Sequence, residues 1–191
     1  MEHKGTQRLE TPRLILRRFT EADADAMFRN WASDDQVTKY LTWPTHADVG
    51  ISRTVVADWI EAYDRHDWYQ WAIELRELGE PIGSLSVVRL DERVDECELG
   101  WCIGRPWWGR GIVAEAGEAV LGFLFGEVKA NRVAARHAVG NPNSGRVMQK
   151  IGMVKEGVLR QAGRSNQGIE DLVQYSMLAR EYFEKHADKT P

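Results

Sequence analysis

Three strand-like runs follow one another in this chain: "WYQWAIEL" (68–75), "PIGSLSVVRL" (81–90) and "ECELGWCIG" (96–104). The turns between them are short and charged, glycine-containing or acidic, too short for a crossover, so the three runs predict an antiparallel meander. The pattern then changes. "IVAEAGEAVLGFLFGEV" (112–128) reads as a helix and "NRVAARHAVG" (131–140) as a strand. "NSGRVMQKIG" (143–152) reads as a short helix stopped at Gly152, and "VKEGVLR" (154–160) and "IEDLVQYSML" (169–178) as two more strands. The second half therefore holds a β-α-β crossover. Upstream, "RLILRRF" (13–19) is strand-like, and Thr20 with Asp23 forms a T-x-x-D start signal for a helix to about Trp31, with Met27, Phe28 and Trp31 as its buried stripe. A second helix near 47–62 carries Ile51, Val55 and Trp59 at four-residue spacing. The fold class is mixed α/β (α+β).

With 191 residues, 43% hydrophobic and 28% charged, the chain has one core's worth of material, and a single domain is expected over 1–191, its core at about 9–180 between short polar tails. "MEHKGTQRLE" lacks an apolar signal region and no later run approaches a membrane-spanning length, which predicts a cytoplasmic protein without a membrane partner. Cys97 and Cys102 lie roughly 17 Å apart along one strand and on opposite faces, so they cannot bridge. No CxxC is present and the five histidines are scattered, so no metal is expected. The net charge of −4 argues against nucleic acid, but it is unevenly spread: residues 129–164 hold eight Lys/Arg against Glu156 alone. That stretch reads either as a solvated basic face or as a counter-surface for a polyanionic small ligand.

Gly109, Arg110 and Gly111 lie between a strand end and a helix start, where backbone N–H groups lack intrahelical partners and the helix dipole is positive. Such a turn is an anion site, with Arg110 able to add a charge-assisted contact. No Gly-Lys-Ser/Thr follows, which excludes a Walker loop. Gly109, Gly111 and Ala114 fit G-x-G-x-x-A, yet a dinucleotide fold places that motif after its first strand with an acidic residue about 20 positions on, and here a meander precedes it. Downstream, Asn141 and Ser144 flank a strand end and a helix start, with Pro142 stiffening the step.

The segments "ETPRLILRRFTEADA", "ELGWCIGRPWWGRGIVAEA" and "NPNSGRVMQKIGM" together resemble the GNAT superfamily of acyl-CoA-dependent N-acetyltransferases, in its RimJ/RimL-like branch of ribosomal-protein-alanine acetyltransferases. The resemblance covers roughly residues 9–180. It implies a GNAT fold with a mixed, mostly antiparallel sheet of about seven strands and about four helices. It also implies that Trp108, Gly109, Arg110, Gly111, Ile112, Val113 and Ala114 cradle the pyrophosphate of acetyl-CoA, beside Trp101, Cys102 and Ile103 on the preceding strand, whose backbone N–H would hold the thioester carbonyl. Val113 departs from the family, which usually carries glycine or alanine there. By the same resemblance Asn141 holds the cofactor arm, Ser144 protonates the departing thiolate, and Arg146 and Lys150 serve the remaining phosphates.

The reaction implied is direct attack by a neutral amine in a ternary complex, with no enzyme nucleophile. Glu98 matches an acidic position of this branch and is the candidate general base, through water. His137, on one face with Val133, Ala135 and Val139, is a second candidate and equally a core histidine. Trp31, Tyr40, Trp43, His46 and Trp71 fall where this family lines its acceptor cleft, Trp43 in a loop between two helices being the leading contact. The acceptor is a protein N-terminal α-amine or a small-molecule amine, and a homodimer is compatible with the resemblance. Two other functions fit parts of the sequence: an inactive GNAT-fold acyl-CoA sensor, and an aromatic-rich peptide- or sugar-binding module. The module has no use for the anion turn, and the sensor has none for Ser144 and Glu98.

Overall fold

The computed structural model describes residues 1–187. Eight strands form one sheet in the order β1-β2-β3-β4-β5-β6-β8-β7. They are β1 (Leu9–Glu10), β2 (Leu14–Arg17), β3 (Gln70–Leu75), β4 (Glu80–Asp91), β5 (Glu96–Ile103), β6 (Arg132–Ala138), β7 (Val154–Ser165) and β8 (Gly168–Leu178). The meander is β3-β4-β5, and every pairing in the sheet is antiparallel except β5 with β6. That parallel pair is joined by a crossover helix, as the sequence pattern required. The eighth strand, one more than expected, is the two-residue β1.

Six α-helices occur among the described residues: α1 (Ala24–Met27), α2 (Asp35–Thr38), α3 (Val49–Ala62), α4 (Ile112–Gly126), α5 (Pro142–Lys150) and α6 (Ala179–Ala187). The predicted 20–31 helix starts where expected, with the Thr20 N–H donating to Asp23 Oδ2 at 2.7 Å. It does not continue as one helix. A 3₁₀ turn (Glu21–Asp23) leads into the single turn α1 and then a π turn (Phe28–Ala32). At its end the Ser33 N–H and hydroxyl both reach the Phe28 carbonyl, at 3.2 and 2.7 Å. Trp31, within that π turn, is fully buried.

Strand alternation divides the apolar residues between two layers. Leu16, Trp71, Ile73, Leu85 and Leu99 pack with Val120, Leu121 and Leu124 of α4 on one face. Ala72 faces the other way, into a smaller cluster of Phe19, Met27, Trp31, Val56 and Tyr63 beneath α1 and α3. Helix α5 crosses β6 closely enough that a Cβ on Gly145 would sit 2.6 Å from His137 Nε2.

Candidate active site

Strands β5 and β6 pair only from Glu96 opposite Arg132 to Leu99 opposite Ala135. Beyond that row β5 runs on to Ile103 and β6 to Ala138 without pairing to each other, so the sheet opens into a V. A cleft of about 460 Å³ occupies the opening, lined by Gly100, Trp101 and Cys102 on one limb and Arg136, His137 and Ala138 on the other. A parallel sheet edge parted in this way presents backbone groups of β5 to whatever enters.

Past the end of β5 and a 3₁₀ turn (Arg105–Trp107) comes the glycine turn, directly before α4. Gly109 and Gly111 both have φ of +73°, a conformation that favours glycine, and Gly111 is the N-cap of α4. The first intrahelical bond of α4 joins the Glu115 N–H to the Gly111 carbonyl at 3.1 Å, so the amides before it are left for a ligand. A Cβ on Gly111 would lie 3.0 Å from Lys150 Nζ, which places the ammonium of α5 over the same turn. Arg13, which the sequence reading missed, braces the turn from β2's approach: its Nη1 donates to the Arg110 carbonyl at 3.0 Å and its Nε to Glu115 Oε2 at 2.6 Å. Burial pushes the Glu115 carboxyl up, but bonds from Thr11 and Arg13 outweigh it and leave it below the ordinary range. The donor set of helix N-terminus, Lys150 and close-approach glycines suits a polyphosphate. Ile112, Val113 and Ala114 are buried, so the Val113 side chain points into the core and its branched carbons do not crowd the turn. Trp108 is exposed, and its indole N–H donates to the Ile103 carbonyl at 2.8 Å, folding the ring back over the end of β5. Arg146 is exposed and bonds to Asn143 Oδ1 at 3.1 Å.

Asn141 and Ser144 reach the cleft together from the start of α5. Asn141 is the N-cap residue of that helix, yet its side chain makes no capping bond. Its amide is therefore open to the cleft instead of being used by the backbone.

On the opposite face of the sheet the cleft is walled by Tyr40 and Trp43. His46 is buried, with Nδ1 at 2.8 Å from Ser52 Oγ, and burial lowers its pKa. His46, Trp31 and Trp71 are all expected in the cleft from the sequence, yet they are buried and do not line it, the two tryptophans lying on opposite sides of the sheet; Trp71 donates to the Gln7 carbonyl at 2.7 Å. Asn166, at the tip of the β7–β8 hairpin, donates its amide to the Thr38 and Trp43 carbonyls, both at 2.8 Å, and so ties that hairpin to the Tyr40–Trp43 loop.

Glu98 lies on this face, almost buried. Its Oε1 accepts from Arg136 Nε at 2.8 Å and its Oε2 from Arg89 Nε at 2.9 Å. Burial pushes its pKa up, but the two guanidiniums together outweigh burial and hold it below the usual carboxylate value. Neighbouring Glu96 bonds to Arg89 and Arg132 in the same way. Arg132 is thus spent on Glu96 and Glu156 and Arg136 on Glu98, while Lys150 is left beside the glycine turn. His137 bonds through Nδ1 to the Ala138 carbonyl at 2.8 Å and packs against Tyr175 beneath α5. Cys97 and Cys102 are both free; burial raises the Cys102 thiol pKa, so it sits in the cleft as a poor nucleophile.

Residues 13–154 match the family described as the acetyltransferase (GNAT) domain. The chain is a GNAT acetyltransferase. It is an acyl-CoA-dependent N-acetyltransferase, and members of its family use acetyl-CoA. Among curated proteins it is 31% identical to "Uncharacterized N-acetyltransferase YoaA" of Bacillus subtilis (strain 168) over 170 residues, covering 89% of this chain and 96% of that one. It is 27% identical over 99 residues to the ribosomal-protein-serine acetyltransferase of Escherichia coli (strain K12), covering 52% and 55% of the two. The fold is shared with the solved structure of RimL, a ribosomal α-N-protein acetyltransferase in complex with coenzyme A, at a TM-score of 0.81 and 19% identity over 92% of this acetyltransferase and 99% of RimL.

Proposed function

We propose that this acetyltransferase moves the acetyl group of acetyl-CoA onto a primary amine, an N-terminal α-amine of a peptide or the amine of a small molecule, by direct attack within a ternary complex. The observation that carries the reading is the V between β5 and β6, with an aromatic-walled cleft in its opening and the glycine turn, faced by Lys150, following the end of β5. The thioester supplies the activated acyl group when bound; the chain supplies position and proton control. The α4 N-terminus, Arg110, Lys150 and Arg146 hold phosphate, Asn141 orients the arm with its uncapped amide, and a β5 backbone N–H between Trp101 and Ile103 polarises the carbonyl. Ser144 delivers a proton to the departing sulfur.

Glu98 serves in this reading as an ionised, water-linked base, and its pairing with two guanidiniums makes it a weak one. A weak base suits some amines better than others. An α-amine of pKa ~7.8 is roughly 14% neutral at pH 7 and a lysine of pKa ~10.4 about 0.04%, a gap near 3.5 kcal/mol that a weak base does not close. The relatives that act on ribosomal proteins, RimL being named an α-N-protein acetyltransferase, agree with an α-amine on a protein chain. Proton flow then favours the α-amine.

The test is ligand-induced stabilisation followed by turnover. Acetyl-CoA should raise the melting temperature well beyond any shift from NAD or ATP, since only a ligand of the folded state stabilises it. Thiol release with a panel of amines then reads transfer. An equal shift with NAD, or none with acetyl-CoA, would remove the assignment.

A further inference from the structure

The connection from α2 to α3 is fastened to both limbs of the V. On the β5 side, the Thr38 and Thr45 hydroxyls close its base at 2.6 Å, and the His46 N–H donates to the Ala32 carbonyl at 2.9 Å. Trp43 lies against His46, ring centroids 5.2 Å apart, and packs on the aromatic cluster that also takes Cys102 of β5. The crown of the connection reaches the other limb. Tyr40 stands at the end of β6, where a Cβ on Gly140 would sit 2.9 Å from its hydroxyl. Asn166, between β7 and β8, donates Nδ2 to the Thr38 and Trp43 carbonyls, both at 2.8 Å, and its backbone N–H to the Leu41 carbonyl at 3.1 Å. Residues 39–45 therefore form a strap between the limbs, and Tyr40, Leu41, Thr42 and Trp43 all line the cleft.

One residue carries the far attachment. A primary amide has two N–H bonds, and here both are used, as is the backbone N–H, so every donor of Asn166 is spent on the strap. Among the described residues no other hydrogen bond or ion pair joins residues 39–45 to β7 or β8. The two ends differ in strength. Asn166 is exposed, so water competes for each of its bonds, whereas His46 and Ser52 on the β5 side are buried. A segment held by exposed bonds at one end and a buried anchor at the other opens locally at the exposed end, with the core intact.

We propose that Asn166 sets the girth of the acceptor that reaches the V: with its three bonds made, the strap admits narrow amines, and with them broken it parts from the hairpin and admits wide ones. This rests on the reading of the cleft as the acceptor side, and it holds for an amine of either proposed class. Asn166 does not itself line the cleft, so it acts through the strap as a positioning residue. Shape alone discriminates between substrates only where the wall that rejects the larger one is held in place.

The experiment compares the parent with Asn166→Ala and Asn166→Asp, the second keeping the side-chain shape while replacing the donor by an oxygen facing two carbonyls. Cys102 reports access without reference to any acceptor, because it lines the cleft and packs in the cluster of Trp43, while Cys97 is fully buried. Its alkylation is followed with iodoacetamide and with iodoacetamide carrying a fluorescein group. The reactive group and the thiol are the same in both, so thiol ionisation cancels from the ratio of rates. Both variants should react roughly tenfold or more faster with the bulky reagent and within about twofold of the parent with the small one. In thiol release from acetyl-CoA, the parent's preference for glycinamide over tryptophanamide should fall by roughly tenfold in both variants. Equal acceleration with both reagents, no acceleration, or variants that use glycinamide and reject tryptophanamide as the parent does would overturn the proposal. A tie that only stabilises the fold would instead give parallel changes with both reagents and both amides. If no amine releases thiol while the reagent ratio shifts as expected, the acceptor reading falls and the strap stands.

Discussion

Glu98→Gln tests the charge arrangement of the cleft most directly, because its cost can be worked from geometry. The carboxylate is 7% exposed and receives bonds from Arg136 and Arg89. The Arg136 side chain is 25% exposed and that of Arg89 47%, so solvent screens the second pair far more than the first. We assign ~1.5–3 kcal/mol to the Arg136 contact as a charge-assisted pair and at most ~0.5–1 kcal/mol to Arg89. Glutamine keeps one acceptor oxygen, which brings the expected loss to about 2–3 kcal/mol. For a chain of this length that is a melting-temperature drop of ~4–12 °C. The sign with pH follows from the lowered folded pKa. Stability from Glu98 is present above its unfolded value of 4.5 and is lost as pH falls through the lower folded value, so the gap between parent and variant should be full at pH 7 and shrink in acid. Calorimetric scans of both proteins from neutral to acid pH read this directly. A drop of less than ~1 °C at neutral pH, or a gap unaltered in acid, would refute the clamp as a stabilising element. Kinetics below the melting range separate the second role: a water-linked base predicts a fall in kcat/KM with an altered low-pH limb, and a purely structural carboxylate predicts neither.

Two other substitutions divide the cofactor side by function. Ser144→Ala should lower kcat by roughly 10- to 1,000-fold with a smaller change in acetyl-CoA affinity, as expected of a proton donor used in the transition state; an unchanged kcat in steady-state assays would reduce Ser144 to a residue of the first helical turn. Lys150→Gln should weaken acetyl-CoA binding by roughly 3- to 30-fold with kcat near normal, and titration calorimetry should show the loss fading as salt rises, because an exposed ammonium acts by screened charge.

The sheet was legible because its signals are local. Short turns force the meander, a helix-length run between two strands forces the crossover, and a strand end followed by Gly109-Arg110-Gly111 marks a helix N-terminus whatever surrounds it. What the sequence concealed depends on register or distance. The 20–31 segment has a proper start signal, and nothing in its spacing marks the π turn over Phe28–Ala32 in which Trp31 is fully buried. Trp71 and Trp43 are the same residue type in similarly aromatic surroundings, and alternation in β3 sends Trp71 beneath α4 while Trp43 stays on a loop. Arg13 braces the glycine turn through Glu115, 102 residues away, and nothing near Glu115 announces it.

The basic stretch shows why register matters for function. Summed along the chain, residues 129–164 suggest a polyanion surface, yet Arg132 and Arg136 of β6 bond to Glu96 and Glu98 of β5. Neutralising those two arginines divides the molecule into two electrostatic regions. Lys150 keeps a positive charge beside the glycine turn, where the proposed function puts phosphate, and the lining of the cleft has two carboxylates for two guanidiniums. A cleft with balanced charge cannot select an amine by its ammonium alone, since lysines, polyamines and N-termini all carry one. Selection has to come from the shape of the cleft and from its uncharged polar lining.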